Sequence, residues 1–72
     1  MSPDKMVHMA NQIAAFFNSQ PGGGAAEKVA GHLNDFWEPR MRAQLIAYIG
    51  EGGAGLDALV LAAADHLNAP AA

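Results

Sequence analysis

The stretch "DFWEPRMR", Asp35 to Arg42, decides how this chain is divided, because its proline must end one helix and begin the next. A residue before proline is pushed out of helical geometry, and proline itself is well suited to the first turn of a new helix. The same eight positions hold two aromatics, two acids and both arginines, half of the chain's four Lys and Arg. Outward from this corner, Pro and Gly punctuate the sequence into four segments, each with helical rather than alternating periodicity.

Upstream, Ser2 is a suitable N-cap with Pro3 at the first helical position and Asp4 near the positive end of the helix dipole. The spacing predicts a helix over about 3–20, with Met6, Met9, Ala10, Ile13, Phe16 and Phe17 as its buried stripe. "PGGG" stops it. The second helix is expected over 25–37, with Val29, Ala30, Leu33, Phe36 and Trp37 repeating the pattern. The third, over 39–50, carries Met41, Leu45, Tyr48 and Ile49 on one side, and "GEGGAG" ends it through glycine's access to positive φ. The last, over 57–68, has apolar residues round most of its circumference, Leu56, Leu59 and Val60 among them. A helix apolar nearly all round is buried on several sides. The chain lacks Thr and has few consecutive β-branched residues, which leaves no credible strand. The expectation is one small all-α domain over 1–72, with four short helices joined by Pro/Gly turns and a flexible tail at 69–72.

Seventy-two residues bury only about 60% of the unfolded surface, so a fold of this size is marginal without supplement. With no cysteine there is no disulfide, thiolate nucleophile or cysteine zinc site, which fits a reducing cytoplasm. A net charge of −3 gives no attraction to phosphate backbones or anionic lipid, so neither nucleic acid nor membrane is an expected partner. The start of the chain lacks the pattern of an export signal, and no apolar run approaches the roughly 20 residues that span a bilayer. Hydrophobic content of 51% with 15% charged residues is high for so small a domain. Some of that apolar surface is expected to meet another protein.

The chemical motifs are weak. Gly50, Gly52 and Gly55 match GxGxxG, but the dinucleotide fingerprint works only between a strand and a helix. His8, His32 and His66 fall on three different helices without metal-ligand spacing, even if Asp35 or Asp65 joined them. Ser2 and Ser19 sit at helix ends as caps, and no pair of acids lies in an apolar surround. The corner offers more. Glu38 and Arg42 are spaced for a helical ion pair. Phe36 and Trp37 either fill the core or, with arginine, form the aromatic and guanidinium combination enriched in binding hot spots. The corner from Trp37 to Arg42 thus reads as both hinge and docking surface, and Phe36, Trp37, Pro39, Arg40, Met41, Arg42, Leu56, Leu59 and Val60 are the candidate partner-binding residues. No catalytic, cofactor-binding or metal residue is assigned.

Three blocks, Lys5 to Phe17, His32 to Ile49 and Gly52 to Ala64, resemble the small delta subunit of the soluble, molybdenum-containing NAD-dependent formate dehydrogenase. "FWEPRMR" followed by "GGAGL" is the most specific part. Glu38 and Ala58 depart from the family's "FWDPRMR" and "GLDPLV". The resemblance implies a non-catalytic accessory subunit of a bacterial cytoplasmic complex that assists assembly, stability or cofactor insertion. The larger subunits of such a complex carry the molybdenum bis-guanine-dinucleotide cofactor, iron–sulfur clusters, FMN and the NAD site. Docking is then expected chiefly on the molybdenum catalytic subunit. A self-associating helical protein, or a transient chaperone holding the anionic cofactor through Arg40 and Arg42, are the other readings of the same residues.

Overall fold

The computed structural model describes residues 2–68, so expectations for the tail at 69–72 lie outside the described residues. The domain is all-α, with four helices, and among the described residues there is no strand. Helix α1 spans Pro3–Asn18, α2 Ala25–Phe36, α3 Pro39–Gly50 and α4 Ala58–Ala63, the last continued by a 3-10 turn, Ala64–His66.

Local chemistry sets each boundary. The Ser2 hydroxyl accepts the Lys5 N–H at 3.3 Å, and Pro3 and Asp4 occupy the first turn of α1. Helix α2 ends at Phe36 because Trp37 and Glu38 are extended ahead of Pro39, with ψ of 138° and 149°. At the end of α3, the N–H of Gly52 bonds Ile49 O and that of Gly53 bonds Tyr48 O, both at 3.0 Å. That pair is a Schellman motif, and the φ of +117° at Gly52 is why glycine is required there. Asp57 caps α4 by accepting the Leu59 N–H at 2.9 Å.

The core lies chiefly among α1, α2 and α4, with α2 touching α1, α4 and the 3-10 turn, and α3 adds Leu45 to it. Its largest fully buried side chains are Met6, Val29, Leu33, Leu45 and Val60. On α1 the buried stripe is Met6, Ala10 and Ala14, and the small side chains of the two alanines admit the neighbouring helices. Phe16, expected in that stripe, is 60% exposed. It stands six residues beyond Ala10, which at about 100° per residue places it roughly 120° round the helix from the core.

A six-residue helix such as α4 has too few internal hydrogen bonds to persist alone. Two asparagines hold it at its ends. Asn11 of α1 donates to Gly55 O at 2.9 Å and accepts from the Asp57 N–H at 2.8 Å, just before α4. Asn34 of α2 donates to His66 O at 3.0 Å and accepts from the Asn68 N–H at 2.8 Å, just after the 3-10 turn. In both cases one side-chain amide binds a carbonyl and the N–H two residues on.

Candidate functional site

The corner at Trp37 to Arg42 divides into buried and exposed halves. Trp37 is 6% exposed and belongs to the core, while Phe36, one residue earlier, is 75% exposed. The difference follows from the helix ending between them: Trp37, in extended conformation, turns back into the fold, and Phe36 remains on the last turn of α2.

Arg42 has a structural task. Its Nε donates to Asn68 O at 3.0 Å, and one terminal nitrogen donates to Asn34 O at 3.2 Å and Trp37 O at 2.9 Å. The carbonyls of Asn34 and Trp37 lie at the end of α2, where a cation satisfies orphan acceptors and complements the dipole. The guanidinium therefore binds the C-terminal end of α2 and the chain after α4, in place of the expected pairing with Glu38. Arg40 and Pro39 are exposed, and Met41 is half-buried against the core.

Of the candidates near α4, Val60 and Leu56 are core residues, 0% and 9% exposed, and Leu59 is half-buried. In this conformation Trp37, Leu56 and Val60 have almost no area to offer a partner. The apolar surplus on α4 itself is centred on Leu61, 39% exposed.

A second apolar surface lies between α1 and α2. A groove of about 290 Å³ is lined by Met9, Gln12, Ile13, Phe16, Phe17 and His32. Its aromatic members form a continuous series: Phe16 meets Phe17 edge-on at 5.1 Å, Phe17 lies 6.1 Å from His32, and His32 lies 4.8 Å from Phe36 at 34°. The His32–Phe36 contact arises from their i, i+4 spacing, since side chains on a helix lean toward its N-terminus. Both ends of the series, Phe16 and Phe36, are open to solvent. Phe36 joins this groove to the corner, so the two form one surface.

Sequence reasoning named Phe36 as a candidate partner-binding residue, took Phe16 and Phe17 for the buried stripe of the first helix and weighed His32 only as a metal ligand. A usable signal was present in "FFN". Adjacent helical residues point about 100° apart, so two consecutive phenylalanines cannot both face one core.

The glycines of "GEGGAG" close α3 and lead into α4 rather than joining a strand to a helix. Among the described residues, no group of three or more His, Cys, Asp or Glu is placed to hold a metal ion. Nor is any helix of the described residues long and apolar enough to cross a membrane.

Comparison with curated proteins gives no match. Over residues 5–64, which contain both the corner and the groove, the sequence matches the family model of the NADH-dependent formate dehydrogenase delta subunit, FdsD, and the chain belongs to that family.

Proposed function

We propose that this delta chain is an accessory subunit without an active site, which docks through the surface formed by Phe16, Phe36 and the α1–α2 groove. Its partners are the larger formate dehydrogenase subunits, chiefly the molybdenum catalytic subunit. Docking supports assembly, stability or cofactor insertion in the cytoplasm, where a chain without cysteine needs no oxidising environment. The molybdenum cofactor, iron–sulfur clusters, FMN and NAD belong to those larger subunits.

One observation carries this reading: two phenylalanines of one aromatic series are 60% and 75% exposed in a chain of 72 residues. Contiguous apolar area of this kind, bordered by polar residues, marks protein interaction sites. Of the candidate partner-binding residues, Phe36, Pro39 and Arg40 contribute directly, with Met41, Arg42 and Leu59 partly accessible. Trp37, Leu56 and Val60 belong to the buried core. Binding to a partner also stabilises a marginal fold by mass action.

Phe36→Asp tests the proposal. The variant is expected to stay helical with its stability changed by no more than about 0.5 kcal/mol, as for exposed sites generally. It should nevertheless fail to co-purify with the larger subunits, and formate-dependent NAD reduction should decline in the same preparations. Full recovery of the complex with this variant would refute docking through Phe36. A symmetric homodimer closed over the same phenylalanines is the alternative, and light scattering showing a stable dimer of the pure chain would favour it. The chaperone reading is left with the guanidinium of Arg40, since that of Arg42 is bound to three carbonyls.

A further inference from the structure

Asn34, Arg42 and the chain at 66–68 close a ring of hydrogen bonds. The Asn34 side chain donates to His66 O at 3.0 Å and accepts from the Asn68 N–H at 2.8 Å, while Arg42 Nε donates to Asn68 O at 3.0 Å. Arg42 and Asn34 are themselves joined, the guanidinium donating to the Asn34 carbonyl at 3.2 Å. Asn68 is thus held at both its backbone N–H and its backbone carbonyl. The two sides of the ring differ in their access to water. The three bonds to His66 and Asn68 are exposed, whereas those from Arg42 to Asn34 O and Trp37 O are partly buried.

The apolar anchoring changes at the same place. Val60 and Ala63 of α4 are 0% exposed, but no residue of Ala64–His66 is buried. Asp65, His66 and Asn68 are exposed, and Leu67 is half-buried against the core. A segment with few buried apolar contacts, and with hydrogen bonds open to water, opens at a lower free energy than the core it rests on.

We infer that residues 64–68 form a strap that opens as one unit about a hinge after Ala63, with Asn34 and Arg42 as its latch. Bonds that share partners in one network are coupled, so the loss of one weakens the others. Release of Asn68 O from Arg42 lets the Asn68 backbone turn away from the Asn34 side chain, and the bond to His66 goes with it. Arg42 stays on the end of α2 through its partly buried bonds, so the guanidinium remains a fixed post onto which the strap recloses. Opening withdraws Leu67 from the core and bares the Asn34 amide and the Arg42 Nε–H without unfolding α1 or α2. The Asn11 bonds at the other end of α4 are not broken in this step.

The test is native-state amide hydrogen exchange of the full chain, read by NMR. In the wild type, the Leu67 and Asn68 amides are expected to exchange at least about tenfold faster than that of Leu33 in the core of α2, and to respond less to added denaturant, as local opening does. Two variants test the latch through amides they do not touch. Arg42→Ala should speed exchange of the Asn68 N–H, which is bonded to Asn34, by about tenfold, the effect of one hydrogen bond to a charged donor. Asn34→Ala should likewise speed exchange of the Leu67 N–H, which is bonded to Ala64 O within the strap. Should Arg42→Ala fail to fold, Arg42→Lys carries the same expectation at smaller size, because an ammonium lacks the planar fork. Asn11→Ala, at the far end of α4, should leave both strap amides at their wild-type rates. Wild-type exchange of Leu67 and Asn68 as slow as that of Leu33 would show a single cooperative unit and overturn the inference. It is also overturned if the Arg42 and Asn34 variants leave these amides unchanged, or if Asn11→Ala speeds them as much as Asn34→Ala does.

Discussion

Arg42 shows how far a side chain's task can lie from its sequence neighbours. Read along the helix, it has Glu38 one turn away and an ordinary surface ion pair to make. In the fold, the carbonyls of Asn34 and Trp37 converge on its guanidinium, and Asn68 O completes the set. Arg42→Ala is expected to lower stability by about 2 kcal/mol, given that hydrogen bonds to charged groups contribute roughly 1.5–3 kcal/mol and these are partly open to solvent. Arg42→Lys should recover less than half of that, because an ammonium cannot reproduce the planar fork. Urea denaturation of the two variants beside wild type measures both, and equal midpoints for Lys and Arg would show that charge alone matters. The neighbouring aromatics make a related point. Phe36 and Trp37 are adjacent and chemically alike, yet one is exposed and the other core. Hydropathy could not separate them, since the helix boundary between them decides it.

The helix starts were largely legible, because capping and proline act within a few residues: Ser2, Pro3, Pro39 and Asp57 all work as their local chemistry dictates. The ends and the last element were less so. An apolar run from Leu56 to Leu67 looks like one long helix, whereas α4 has six residues and passes into a 3-10 turn. Its position depends on Asn11 and Asn34, contacts across more than thirty residues that no periodicity reveals. Asn11→Asp places an oxygen opposite the Gly55 carbonyl and is expected to cost about 1–2 kcal/mol, or roughly 5–15 °C in Tm for a domain of this size. An unchanged Tm would mean that the Asn11 bonds do not hold α4. The glycines divide by conformation. Gly53 has φ of +63°, and an added Cβ would lie 2.7 Å from Leu61 Cδ2, so Gly53→Ala should destabilise by about 1–2 kcal/mol. Gly31, inside α2 with open space beside it, should do the reverse. Gly31→Ala is expected to gain about 0.5–1 kcal/mol from helix propensity. The signs of these two changes in thermal melts check the backbone assignment directly.

At the scale of the molecule, the high apolar content led to the expectation of area beyond what four short helices can hide. The circumference of α4 suggested that the surplus lay there. Yet Val60 and Ala63 turn inward, and the larger exposed rings are on α1 and α2. Composition reports how much apolar surface exists; only packing shows where the excess emerges. Here it emerges as a groove lined by Phe16 and His32, with Phe36 against His32, in a delta chain whose family is defined by a larger enzyme. Hydroxyl-radical footprinting of the chain, free and within the assembled formate dehydrogenase, tests most directly whether that enzyme covers the groove. Labelling of Phe16 and Phe36 is expected to fall several-fold on assembly, while the buried Met6 stays weakly labelled in both states. If both phenylalanines label equally in the free chain and in the complex, the groove is not the docking surface.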